Sequence, residues 1–505
     1  MKERITYIVQ DPDAFSPEQL VVKGDSITLK KVQAAKEQRI TVGLDELPTE
    51  LRKSLEQWHE LHIRWSSSIP YSASPPFTSR VTPGLHVFFT PLRDQPEGDL
   101  CNLLHLALGS ELQCDSMSEA STKMPILSER FSMSASSQYY SYLDSLSNLV
   151  NFIQKRVCKS KACKESAEVL LSATYVDIDY DAISHAVVLS AFTATAPATG
   201  YWDETISVTS ELQSTEVGVL TYEKNPDPED IGFGGFLTVL GQDQAPKPTR
   251  FQTPTRHYPI PSDSANYKIS FARPTGLHPT LSITFPSSHL TPPDSTCKLH
   301  TYLTLPSYLF VDKYQFNDAL YLASNNLKSL RSIAGAADLE APDWVTPEWG
   351  SAALFELAVP KSGDIEESSV EWNATIPLHL RYLPAADHSH TTVPAPWPVV
   401  FWACRAEEGT KMAVNPFDRL HLGYEALFGP RTRFMHISPI RSGGETDGLV
   451  EWIDVPVLDL KKSQWVEIGT IGTVIVAFIG LCWAMFGNAG GRKTNGGNAK
   501  EKKKQ

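Results

Sequence analysis

Asp177, Asp179 and Asp181 alternate along the chain, a spacing that sets three carboxylates on one face of a strand. Such a cluster offers hard oxygen ligands to a divalent cation, as the D-x-D element of many glycosyltransferases does. The same alternation turns Val176, Ile178 and Tyr180 to the opposite face, which is what a half-buried strand needs. A solvated acidic face over an apolar one is therefore the expectation. The run GFGGFL at 232–237 lacks the spacing of a dinucleotide loop and no lysine follows it, so it reads as a hairpin. His388 and His390 form an H-x-H in a polar stretch and read as solvated. Cys158 and Cys163 sit five residues apart near the end of a helical pattern. On a continuous helix their Cα atoms stand roughly 8 Å apart, too far for a bridge unless the helix ends first. G-x-S-x-G, H-E-x-x-H, the Walker loop and C-x-x-C are all absent from the sequence. No catalytic constellation assembles, and neither a metal nor a cofactor is expected.

The elements that must position these residues are mainly strands. Proline stands at 36 against 29 glycines, which disfavours long helices. Residues 81–92 read as a turn and a strand, and 111–137, rich in serine and methionine, as a loop. Leu143, Leu146, Leu149, Val150, Ile153 and Val157 fall at helical spacing. Strand character returns over 173–192. Residues 251–266, rich in proline, serine and threonine, read as a linker. Beyond it, short strands divided by proline- and serine-containing turns give the pattern of an antiparallel sandwich. The fold class is mainly β (α+β): an N-terminal mixed β-rich region over 1–250, the linker, and a β-sandwich domain over 267–467.

Residues 468–486 carry no charge over 19 positions. As a helix they reach roughly 28 Å, close to the hydrocarbon thickness of a bilayer. Trp465 and Trp483 fall where indoles favour the two interfaces. The tail, 487–505, holds six basic residues against Glu501, and basic flanks stay cytosolic, which leaves the bulk of the chain lumenal or extracellular. Lys502 and Lys503, with Gln505 last, resemble a dilysine signal that returns membrane proteins to the endoplasmic reticulum; a lipid-binding polybasic flank is the plainer alternative. The first residues lack the apolar core of a cleavable signal peptide, so either the span directs translocation or the protein is tail-anchored. One sequon, Asn373-Ala374-Thr375, marks a candidate glycoprotein site. Within the span, Gly469, Thr473, Ala477, Gly480 and Ala484 recur at helical spacing, opposite Ile475, Ile479 and Cys482. A stripe of small residues lets a second membrane helix approach closely, and small residues are also simply common in spans. The formal net charge of −13 disfavours nucleic acid as a partner.

Five runs then carry a family likeness: RPTGLHPTL (273–281), TLPSYLFVDKYQF (304–316), DLEAPDW (338–344), IPLHLRYLP (376–384) and VVFWACRA (399–406). In this order, followed by one C-terminal span, they resemble the PIG-X family, whose fungal members are called protease B non-derepressible proteins. The resemblance covers 273–486. It implies a non-catalytic subunit of glycosylphosphatidylinositol mannosyltransferase I in the endoplasmic reticulum membrane, one that stabilises a multi-spanning catalytic subunit; the runner-up is a chaperone-like lumenal protein with several clients. In the fourth run, strand alternation sends Leu378, Leu380 and Tyr382 to the core and His379 with Arg381 to the other face. Those two serve either a contact to the partner or an internal hydrogen-bonded network. In an oxidising lumen Cys297 and Cys404 can form a bridge, whereas two thiols are expected of a cytosolic domain.

Overall fold

The computed structural model describes the chain except residues 93–98, 126–135, 198, 209–213, 224–229, 262, 274, 287, 289, 339–340, 361–370, 407–416, 418–421, 442–447 and 487–505. Lys502 and Lys503 lie outside the described residues. The chain divides into two compact units, Met1–Tyr382 with Thr392–Asp454, and Leu383–Thr391 with the segment from Val455 onward.

The first unit is built on an eleven-stranded sheet whose central strands, in spatial order, are Lys2–Val9, Ala34–Gly43, Ala186–Thr193, Tyr175–Asp181, Trp58–Ser66 and Gly84–Pro91. Their register lines up two kinds of row. Ile40, Leu189, Ile178, Ile63 and Val87 stand side by side across five strands. The neighbouring row, one residue along, reads Arg39, Ser190, Asp177, Arg64 and His86. Since successive side chains point to opposite faces, one face of the sheet is apolar and the other carries charge.

The apolar face is covered by helices Thr49–Leu55, Leu100–Leu108, Ser147–Phe152 and Lys161–Glu168, which share a core with Leu61, Ile63, Trp65 and Val176. Between helices and sheet a cavity of about 260 Å³ remains, lined by Ile40, Trp65, Leu104, Phe152, Ile178 and Leu189 among others.

The charged face is not solvated, which corrects the expectation for the aspartates. Asp177 is 3% exposed and Arg64 1%. Arg64 donates from Nε and Nη2 to the two Asp177 carboxylate oxygens at 2.6 and 2.7 Å, and from Nη1 to Ser79 Oγ at 2.8 Å. His62, opposite Asp179 in the register, places Nδ1 2.5 Å from its Oδ1. Asp181 alone is exposed. The Phe77 and Phe417 rings lie over this face, packed edge-to-face on one another, with Phe77 against Phe192. Burial is what makes Asp177 and Asp179 pair with Arg64 and His62 in place of water. Val176 and Tyr180 are buried on the other face, as the alternation requires.

Other segments depart from expectation for local reasons. Residues 232–237 lie within the strand Asp230–Val239 and make no hairpin turn. Gly235, at φ +152°, lets the neighbouring strand close in, since a Cβ there would meet the Val219 carbonyl oxygen at 2.2 Å. The linker stretch carries strand pairing: Lys247–Pro254 extends the large sheet and His257–Pro259 runs parallel to Thr432–His436. Of 111–137, residues 126–135 lie outside the described residues, and the rest holds a short helix, Met117–Ala120, and a strand, Thr122–Lys123. Strands of the family region, joined by two that precede it, form a six-stranded sheet, ordered His257–Pro259, Thr432–His436, Val399–Arg405, Lys298–Pro306, Gly350–Leu357 and Leu327–Gly335, and a four-stranded one containing Glu371–Pro377, Thr280–Pro286 and Asn266–Phe271.

Three disulfides tie the unit. Cys297 joins Cys404 across 107 residues, a closure worth about 4–5 kcal/mol in the chain-entropy treatment. Cys158 joins Cys163 because the helix ends at Val157, leaving Cys158 extended and the Cα atoms 5.4 Å apart. Cys101 joins Cys114, a pairing the sequence did not suggest. In the second unit Asp459 caps the helix Leu460–Phe486 through the Lys461 amide, and Ala386 accepts from the Leu460 amide. This 27-residue helix, with mean hydropathy 2.1 over its most apolar window, is long and apolar enough to cross a membrane. It starts eight residues before the uncharged run.

Two outcomes follow. Asp177→Asn strands the buried Arg64 charge and should lower the unfolding free energy by about 3–5 kcal/mol in denaturant titrations, while Arg64→Met with Asp177→Leu recovers part of the loss. Burial also holds His86 and His300 down to about 4 and His436 well below its ordinary value. Between pH 7 and 5 the unfolded chain therefore binds more protons, and each of the first two should cost about 2 kcal/mol at pH 5. His62 runs the other way, since Asp179 and Asp177 outweigh burial and raise it. Thermal melts should show a lower Tm at pH 5 than at pH 7.

Candidate functional site

Three of the five runs, 304–316, 338–344 and 376–384, meet at one residue. Arg381 is 2% exposed and follows a two-residue strand, His379–Leu380, paired antiparallel with Leu309–Phe310. Its own amide donates to the Tyr308 carbonyl at 2.9 Å. The guanidinium donates from Nε to the Ser307 carbonyl at 3.0 Å and from Nη1 to the Ala341 carbonyl at 2.8 Å. It also reaches the Asp338 carbonyl, with a longer approach of 3.5 Å to that of Ala336. The Phe310 ring lies 4.3 Å beneath the guanidinium carbon. Leu277 and Pro279 of the first run accept from the amides of Leu380 and Leu378, at 3.0 and 2.8 Å. Arg381 thus ties the runs at 304–316 and 338–344 to its own through backbone oxygens, which is the internal network and not a contact left open for a partner.

Tyr382 does not join the core. Leu378 and Leu380 are buried, but the strand stops at Leu380, alternation ends with it, and Tyr382 is 63% exposed. The Asp343 amide donates to the Tyr382 carbonyl at 3.0 Å, which brings exposed Trp344 and Val345 beside it. His379 is half-buried: its Nδ1 stands 3.1 Å from His278 Nδ1, its ring stacks on Phe310, and its Nε2 is 3.4 Å from Gln315 Nε2. Burial and the neighbouring His278 hold His379 below its ordinary pKa, with Asp312 opposing. Gln315 leads to exposed Tyr314 and Leu320. Sequence reasoning missed His278, Phe310 and Gln315 as companions; the histidine and the aromatic in the other runs were the available signal.

Elsewhere, Asn373 is exposed on the strand Glu371–Pro377, while Thr375 Oγ1 donates to Asn325 Oδ1 at 2.7 Å. Asp294 stands near Cys297 and Cys404, but both sulfurs are spent on the disulfide and offer no thiolate to a metal. Gly469, Thr473, Ala477, Gly480 and Ala484 all lie on the apolar helix, where Thr473 Oγ1 returns its proton to the Gly469 carbonyl at 2.7 Å. His388 and His390 are exposed.

Arg381→Ala leaves several buried carbonyls without donors and should cost about 3 kcal/mol or more, read as a lower Tm of the purified protein. Arg381→Lys, which lacks the planar fork, should recover only part of it.

The sequence pattern described as PIG-X / PBN1 matches residues 274–486, the span that holds the Arg381 cluster and the apolar helix. Protein pbn1 of Emericella nidulans is 47% identical over 508 residues, 96% of this chain and 95% of that protein. Protein pbn1 of Neurospora crassa is 42% identical with coverage of 96% and 95%. Protein PBN1 of Yarrowia lipolytica is 33% identical over 48% of this chain and 49% of that one. Among solved structures, the C-terminal domain of the Streptococcus pyogenes antigen I/II-family protein AspA aligns over 90% of this chain and 99% of that one at 7% identity, with a TM-score of 0.14 that supports no argument about fold. Likeness along nearly the whole chain to the first two relatives, and in the matched region the motifs gathered around Arg381, assign the chain to the PIG-X / PBN1 family.

Proposed function

We propose that the chain is an accessory, stabilising subunit in glycosylphosphatidylinositol-anchor biosynthesis, and that its partner is the multi-spanning catalytic subunit of mannosyltransferase I in the endoplasmic reticulum membrane. The observation that carries this reading is what surrounds Arg381. The network spends its polar groups internally and presents Tyr314, Trp344 and Tyr382 outward, each between 59% and 63% exposed. Aromatics of that kind anchor protein contacts, and a rigid backbone beneath them lowers the ordering cost of association. The apolar helix, with its small-residue stripe, supplies a second surface suited to a membrane-embedded partner. Three disulfides support an oxidising lumen for the bulk of the chain; on this reading Asn373 is a candidate glycan site, and Lys502 and Lys503 act as a retrieval address from the cytosolic tail.

Trp344→Ala with Tyr382→Ala tests the reading at little cost to folding, since exposed side chains usually contribute within about 0.5 kcal/mol. The expected outcome is an unchanged Tm together with loss of the co-purified mannosyltransferase and a reduced level of it in cells. Normal levels of that enzyme would refute the subunit role, and a shifting set of co-purified clients would favour the chaperone-like one. Protease added to sealed microsomes should spare everything before the span; digestion would place it in the cytosol instead.

A further inference from the structure

We infer that the cavity under the helices of the first unit is a binding site for a single hydrocarbon chain of a membrane lipid. The space is a part-open pocket of about 260 Å³ with a nearly all-apolar lining, and exposed concave apolar surface of that size points to an occupant. A cavity of about 150 Å³ holds benzene, which scales this one to a hydrocarbon segment of roughly ten carbons. The floor is the row Ile40, Leu189 and Ile178 of the large sheet. The roof comes from Leu104 and Phe152 on two helices, and from Ile153 and Val157 on a π-helical turn, Ile153–Val157.

Two further observations separate this space from a packing defect. The π turn is a rare conformation that recurs at ligand sites, and here it supplies lining side chains. The roof is also pinned covalently: Cys101–Cys114 fastens the helix Leu100–Leu108, and Cys158–Cys163 fastens the end of the π turn, with Cys163 itself in the lining. A roof held this way stays open where unpinned helices would settle inward. The occupant follows from the lining and from the helix Leu460–Phe486. Polar side chains enter the lining chiefly at Glu3, Gln38 and Ser166, so a polar ligand finds almost no partners there. A chain tethered to a bilayer meets acyl chains at far higher local concentration than any other apolar solute. One chain enters the cavity and the head group stays outside. This site is independent of the Arg381 surface and of the subunit reading built on it.

The test uses the full-length protein in phosphatidylcholine nanodiscs with two photoactivatable probes, palmitic acid bearing a terminal diazirine and phosphatidylcholine bearing the same group on one chain. After irradiation, peptides containing Phe152–Ile153 or Leu189 should carry the label. Leu189→Trp, which fills the cavity, should cut that labelling at least five-fold without lowering the Tm; Ile40→Phe serves the same purpose should the first variant fail to fold. Labelling by palmitic acid alone identifies a fatty acid as the source, and labelling by the phospholipid identifies a bilayer lipid; either supports the site. Label confined to the helix 460–486, equal labelling in the filled variants, or a co-purified peptide in place of lipid would overturn it.

Discussion

A guanidinium cannot shed its charge inside a protein, so wherever one is buried the surroundings must supply acceptors for its five N–H groups. Arg64 and Arg381 are each almost wholly removed from water, and the two halves of the first unit are arranged around meeting that demand. Arg64 is matched by a carboxylate on the adjoining strand, which fixes that pair of strands in one register, because a slip of one residue would send the arginine to the apolar face. Arg381 is matched by main-chain oxygens from residues 307, 336, 338 and 341, which fixes loops instead of strands. The first solution organises a sheet; the second gathers segments distant in sequence into one surface.

That difference explains why the two regions expose different things. Around Arg64, the charges of Arg64, Asp177, His62 and Asp179 are spent on one another, and the Phe77 and Phe417 rings lie over the same face. Around Arg381, the backbone is held while aromatic side chains stand outward. A surface built this way is rigid where it is supported and adaptable at its tips, which suits recognition more than catalysis.

The parts legible in the sequence were those set by short periodicities. The uncharged run at 468–486 declared a helix, the alternation at 175–181 declared a strand, and Leu378 with Leu380 declared a buried face. What stayed hidden depended on remote partners. The alternation Glu60, His62, Arg64 stands in the sequence as plainly as that of the aspartates, yet the two runs are separated by 113 residues at their closest pair and nothing local says that they adjoin. Periodicity also presumes a single buried face, and here both are covered. Tyr382 turned outward because the strand that would have directed it is two residues long. Cys158 and Cys163 met because the helix ends at Val157, ahead of both cysteines, and the stripe alone does not say whether it continues.

Asn373 belongs to a strand hydrogen-bonded along its length to Thr280–Pro286, and the threonine that completes its triplet is already committed to Asn325. An enzyme that attaches sugar at such a triplet must bind it as an extended, unpaired segment and engage the threonine hydroxyl. Neither condition is met once the strand has docked. Any glycan at this asparagine is therefore installed on the nascent chain, ahead of sheet closure, and its occupancy records the order of events during biogenesis rather than the accessibility of the finished protein.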